Sequence, residues 1–398
     1  MMRVAYVCTD PGVPVFGRKG CSIHVQAILN EMVATGCDVS LFARRWGGEV
    51  PAGLKSVQCH QLSPVKTRVT AERERGLAAG NRELGILLEN AGPFDLVYER
   101  YALWSHAAME FADDCGTPSI LEINAPLVQE QATHRELVDE RLARQITARA
   151  FAAAGTRLAV SQGVVDRLSD GQRPVNDWSF HVVPNGVSPE RFTAARELIW
   201  QRQETGNQDD PFVVGFVGTL RPWHGLSTLG SAFSRLHATT PQARLLVVGA
   251  GAARDELESQ LTPSALAATT ITGAVDHSEV PSWVAKMDVA VAPYPAAKDF
   301  YFSPLKVLEY FAAGLPVVGS GTGTSDGLVN DRNMVVFEPG NAEEMAQRLQ
   351  ELQSDAALRQ AYSRAAFPSI SFDNTWAGVW QRAKNLSLKH DTPARSAG

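Results

Sequence analysis

The stretch "FYFSPLKVLEYFAAG" (300–314) sets Lys306 and Glu309 among residues that otherwise belong against a core. A cation and an anion three residues apart on a helix must face water, each other or a ligand. Ser303 and Pro304 read as the N-cap and first helical position. The two charges therefore fall in the first two turns, beside the free backbone N–H groups around Ser303, Pro304 and Leu305. An ammonium and N–H groups converging on one spot suit a diphosphate. A carboxylate one turn further on can accept both hydroxyls of a ribose. Phosphate followed by ribose is the order along a nucleotide. The plainer alternative is an exposed helical ion pair worth roughly 0.3–0.5 kcal/mol.

Other candidates lie at turns after apolar runs. In "VGFVGTLRPWHGL" (214–226), Gly218 opens a turn that carries Thr219, Arg221 and His224, which offer a ligand backbone access and charge. "LLVVGAG" (245–251) repeats the strand-then-glycine pattern with Gly249 and Gly251, without a third glycine at the dinucleotide spacing. "ITGAVD" (271–276) supplies Gly273 and Val275. Near the start, Gly17 and Gly20 flank Arg18 and Lys19 ahead of a helical pattern, allowing close backbone approach. His24 falls in the first turn of that helix. "LVYERY" and "SILEIN" place Glu99, Arg100, Glu122 and Asn124 at strand ends, where charged residues are expected to point toward a ligand. A purely structural pairing of Glu122 with Arg100 is the alternative.

The elements that must position these groups alternate. Continuous apolar runs such as "RVAYVC", "DVSLFA", "FVVGFVGTL" and "DVAVAPY" suggest parallel strands buried on both faces. Helical spacing recurs over 22–35, 226–238, 304–313 and 342–353. The expected fold is α/β, with two Rossmann-like doubly wound parallel-sheet domains facing across a cleft. The polar, aperiodic stretch "QRQETGNQDDP" (201–211) and the turn-rich "PNGVSPERF" (184–192) mark the break. We place an N-terminal Rossmann-like domain at 1–190 and a C-terminal Rossmann-like domain at 191–370. A C-terminal helix at 371–390 is expected to return to the first domain, followed by a disordered tail at 391–398.

These motifs together resemble retaining glycosyltransferases of family four, which have the GT-B fold. "SPLKVLEYFAAGLPVV" is similar to that family's E-x7-E signature, with Glu309 at the second glutamate. Tyr301 stands where the first glutamate usually holds donor-sugar hydroxyls. In the family's V-G-R-L…K-G turn, Gly218, Leu220 and Gly225 match, while Thr219 and His224 replace the usual Arg and Lys. "PNGVSPERF" is similar to its interdomain turn, with Ser188 in place of Asp.

The resemblance implies transfer of a sugar from a nucleoside diphosphate to an acceptor hydroxyl, with retention of anomeric configuration. Lys306, Arg221, Glu122 and Asn124 are the catalytic candidates. Gly17, Gly20, Gly218, Thr219, His224, Gly249, Gly273, Val275, Tyr301, Ser303, Pro304, Leu305 and Glu309 are the donor-binding ones. Rival readings on the same frame are a nucleotide-sugar epimerase, a sugar phosphorylase and a catalytically silent binding protein.

No D-x-D motif is present, so neither metal nor cofactor is expected; the nucleotide sugar is a substrate. The acceptor is expected to be a small molecule, a saccharide or a natural-product core. A net charge of −6 argues against wholesale nucleic-acid binding. Five scattered cysteines without a CxxC pair fit reduced thiols in a cytoplasm. No run approaches the roughly 20 apolar residues of a membrane span. The arginines of 66–84 are interrupted by Glu72, Glu74 and Glu83, which reads as a solvated helix more than a lipid-docking face, so membrane association is not indicated.

Overall fold

A computed structural model describes residues 1–169, 178–206, 210–296, 305–321 and 328–389. The chain divides into two compact units, Met1–Asn185 with Trp376–Gly398, and Gly186–Thr375. Each is a Rossmann-like α/β unit built on an all-parallel sheet.

The strands of the first unit are β1 (Arg3–Cys8), β2 (Asp38–Ala43), β3 (Gln58–Gln61), β4 (Leu96–Arg100), β5 (Ser119–Ile123), β6 (Thr156–Ala159) and β7 (His181–Val182). Their order is β3-β2-β1-β4-β5-β6-β7. Val4 through Cys8 are all buried, as a strand covered on both faces by helices requires. By contrast, "QCHQ" has no β-branched residue and is largely exposed. It is strand only because it pairs with β2 at the sheet edge, Ser40 opposite Gln58.

The C-terminal helix, Trp376–Lys389, packs on this first unit. The indole of the buried Trp380 donates to Thr35 Oγ1 at 3.0 Å, and Arg382 donates to the Val182 carbonyl. The helix begins at Trp376, after two short 3₁₀ turns, Phe367–Ser369 and Phe372–Asn374.

In the second unit β8 (Val213–Val217), β9 (Arg244–Val248), β10 (Thr269–Ile271), β11 (Val289–Ala292), β12 (Val317–Gly319) and β13 (Val335–Val336) run in the order β10-β9-β8-β11-β12-β13. Alternation along each strand divides the core in two. Val214, Phe216, Leu245, Val247, Val289 and Val291 join one cluster. Val217, Leu246, Val248, Ala290 and Ala292 join the other. The strand order reverses between β8 and β11, and ligands of such sheets bind beyond the carboxyl ends at that point. No described helix is long and apolar enough to cross a membrane.

Candidate active site

In the second unit, the turns that leave β8, β9 and β10 lock together through glycines. Gly218 takes φ 143° and donates to the Val248 carbonyl; Gly249 takes φ 149°. A Cβ on Gly249 would lie 2.0 Å from the Gly218 carbonyl oxygen, so only glycine admits this approach. Gly249 also bridges Gly273 beyond β10. Gly218, Gly249 and Gly273 thus form a row of bare backbone across the carboxyl edge, while Val275 packs partly buried against the core.

Lys306 reaches the same edge from the helix Leu305–Ala312, which follows β11. Its side chain is buried, and its ammonium has no hydrogen-bond partner among the described residues. Nζ sits 4.1 Å from the Phe216 ring centroid and 5.2 Å from that of Tyr294. The missing side chain of Gly218 leaves it room, since a Cβ there would stand 3.3 Å from Nζ. Burial lowers the Lys306 pKa to about 7, with Glu309 acting in the opposite direction. The helical ion pair does not form. Glu309 turns instead to His277, whose Nε2 lies 3.0 Å from Oε1. Arg191 fixes that imidazole, with Nη2 donating to the His277 carbonyl at 2.7 Å and Nη1 lying 3.3 Å from Nε2.

His224 Nδ1 donates to the Thr219 carbonyl at 2.6 Å. Burial, then the charges of Lys306 and Arg221, lower its pKa to about 3, against the raising effect of the Thr219 bond. The ring is therefore neutral at pH 7, and Nε2 is left as a lone-pair acceptor. It can take a hydroxyl, and as a neutral ring it brings no positive charge to a phosphate. Arg221 is exposed, with its guanidinium 5.6 Å from the Trp223 ring centroid. Leu305 is the first residue of the helix; Tyr301, Ser303 and Pro304 lie outside the described residues.

The remaining candidates belong to the first unit. Gly20 opens the helix Gly20–Ala34, and the Gly17 carbonyl accepts from Gln26. Glu122 and Glu99, expected at strand ends, are both buried. Parallel register sets Glu122 beside Arg100, whose Nη1 is 3.8 Å from Oε2, and brings His24 Nε2 to 2.6 Å from Oε1. Burial alone would raise the Glu122 pKa, but His24, Arg100 and the partly buried Asn124 outweigh it and hold the group at about 2. A buried anion so compensated is a structural tie between β4, β5 and the helix Gly20–Ala34.

Glu99 has no such partner among the described residues. Burial pushes its pKa up to about 7, opposed only by Ser105. A carboxyl raised in the fold contributes stability below its unfolded pKa that is lost as pH rises through about 7. Glu99→Gln should therefore leave Tm near wild type at pH 5 and raise it by several degrees at pH 8.5, corresponding to a few kcal/mol. Thermal unfolding at the two pH values checks this, and equal shifts at both would contradict it.

Sequence reasoning missed Phe216, Tyr294, His277 and Arg191. For His277 a signal existed: Asp276 and Glu279 form a capping box that fixes the turn carrying it. Among the described residues no three His, Cys, Asp or Glu side chains gather as a metal site.

Residues 18–191 match the family model described as Glycosyltransferase Family 4, and residues 211–355 match that of Glycosyl transferases group 1. A glycogen synthase of Mycobacterium tuberculosis is 26% identical over 402 residues, covering 95% of this chain and 92% of that protein. A sucrose-phosphate synthase from Thermosynechococcus elongatus superposes with a TM-score of 0.73 at 18% identity, over 98% of this chain and 99% of that one. Anabaena HepE, solved in complex with UDP-glucose, gives a TM-score of 0.70 at 17% identity, over 98% of this chain and 100% of that one.

Proposed function

We propose that the chain, matched in each of its halves by a glycosyltransferase family model, is a glycosyltransferase that moves a sugar from a nucleoside diphosphate sugar to an acceptor hydroxyl. The reading includes retention at the anomeric carbon and protein cations, rather than a metal, at the leaving diphosphate. The observation that carries it is Lys306, a buried ammonium without an acceptor among the described residues, at the switch between β8 and β11. Leaving such a charge uncompensated is costly, and a diphosphate entering over the glycine row would supply the missing oxygens. As negative charge builds on the departing diphosphate, the fixed ammonium and backbone N–H groups would stabilise it.

Glu309, steadied on one oxygen by His277, keeps its other oxygen for a ribose hydroxyl. Neutral His224 offers a lone pair to a sugar hydroxyl. That HepE was solved with UDP-glucose supports a nucleotide sugar in this fold.

A thermal-shift screen over UDP, GDP, ADP and dTDP and their sugars tests the donor class: one nucleotide family should raise Tm. No shift with any of them at millimolar concentration would overturn the reading. Glu309→Ala should weaken binding of the responding nucleotide about tenfold, the range of a charge-assisted hydrogen bond, while lowering kcat less. Calorimetry measures this, and unchanged affinity would remove the ribose role.

A further inference from the structure

The first unit holds an open cavity of about 350 Å³ that no step above uses. One wall is a face of the helix Thr70–Ala91, where Arg73, Leu77, Gly80 and Leu84 recur at helical spacing. Most of its polar side chains are already committed. Asn81 donates to the carbonyls of Ala78 and Trp104 and accepts from the N–H groups of His106 and Ala107. Glu74 accepts from the backbone of Val138 and Asp139. Asp10 accepts from the Gly12 N–H.

Arg44 is less fully committed. It follows β2, is only 6% exposed and lines the cavity. Nη1 donates to the Ser63 carbonyl, and buried Nε has no partner among the described residues. The acid whose charge acts on it is Glu83, but that carboxylate accepts from the Ser63 N–H and hydroxyl and forms no ion pair with Arg44. Gly80 makes space for the guanidinium, because a Cβ there would come within 2.4 Å of Nη2. An arginine cannot shed its charge, and a buried charge left uncompensated is strongly unfavourable. Its planar fork matches phosphate oxygens.

We propose that this cavity binds a phosphate monoester, with Arg44 on the phosphate and Arg73 assisting from the same helix face. Taken together with the transferase reading, on which this assignment of role rests, the phosphate belongs to the sugar acceptor. The cavity falls within the usual range for small-molecule sites, and its leucines suit the carbon skeleton.

Calorimetry on the full chain would compare glucose 6-phosphate with glucose, and glycerol 3-phosphate with glycerol. The phosphorylated members should bind and inorganic phosphate should compete, whereas the uncharged members should not bind. Arg44→Gln should weaken binding about tenfold or more, and Arg73→Ala about threefold. Equal binding of charged and uncharged members would overturn the proposal. So would wild-type affinity in a folded Arg44→Gln protein. If that variant does not fold, Arg73→Ala decides, and unchanged affinity there sinks the idea.

Phosphatidylcholine vesicles with and without phosphatidic acid separate the sources. Retention only by the acidic vesicles, lost on Arg44→Gln, places the phosphate on a lipid. Binding of neither the soluble phosphates nor these vesicles overturns the site. Failure of every nucleoside diphosphate sugar to turn over would sink the transferase reading but leave a positive binding result standing. Arg44-independent phosphate binding would do the reverse.

Discussion

Lys306→Ala is expected to lower sugar transfer by about 10²-fold or more, the roughly 2.7–4 kcal/mol associated with one lost donor at a developing oxyanion. The size of the effect follows from isolation. Nζ lies between the rings of Phe216 and Tyr294 without a hydrogen bond among the described residues, so its charge is shared with no protein acceptor there before the diphosphate arrives. The fold should survive, because removing an unpartnered buried ammonium relieves a desolvation penalty. Tm at or above wild type, with transfer nearly abolished, is the expected pair of results.

A pH dependence follows with a definite sign. The diphosphate needs the ammonium, whose pKa in the free protein is about 7. Donor affinity should therefore fall as pH rises above 7, by at most about tenfold per unit. Lys306→Arg, charged throughout, should flatten that slope. Near-wild-type kcat in Lys306→Ala would remove the assignment.

The second large effect concerns stability. Glu122→Gln removes the anion between His24 and Arg100 and leaves Arg100 as a partly buried cation without its counter-charge. Breaking such a pair from one side costs about 3–5 kcal/mol. For a unit of this size that corresponds to a fall in Tm of roughly 10 °C. The sign with pH is opposite to that of Glu99. A carboxyl held at about 2 stabilises above its unfolded pKa, and that contribution is lost as pH falls through about 2. The wild-type excess over Glu122→Gln should therefore be full at pH 6 and shrink steadily below pH 5. Thermal unfolding from pH 6 to pH 3 measures it. A pH-independent difference, or a Tm within about 2 °C of wild type at pH 6, would contradict the buried-tie account.

The apolar runs were enough to read the α/β architecture, because strands buried on both faces leave an unbroken hydrophobic signature. The edge strand "QCHQ" left none, since sheet pairing and not side-chain burial makes it a strand. Lys306 and Glu309 stood out by type and spacing, but their surroundings did not. Phe216, Tyr294, His277 and Arg191 arrive from other strands and turns, and no local pattern ties them to the helix Leu305–Ala312.

The pairing of Glu122 with Arg100 stood as an alternative in the sequence, but the depth of burial of Glu99 and Glu122 was hidden. A charge at a strand end reads the same whether its neighbours supply a partner, as His24 and Arg100 do, or withhold one. The neutral tautomer of His224 depends on a single carbonyl, that of Thr219, placed by the turn after Gly218.

The most direct test of the central claim is a turnover measurement. The purified chain would be incubated with UDP-, GDP-, ADP- and dTDP-sugars, with and without a panel of sugars and sugar phosphates. Phosphorus NMR would follow the nucleotide, and mass spectrometry the acceptor. The expected result is release of one nucleoside diphosphate, matched by an acceptor heavier by one glycosyl unit and absent in Lys306→Ala. Epimerised donor without release, phosphate-dependent cleavage, or tight nucleotide binding without turnover would contradict it.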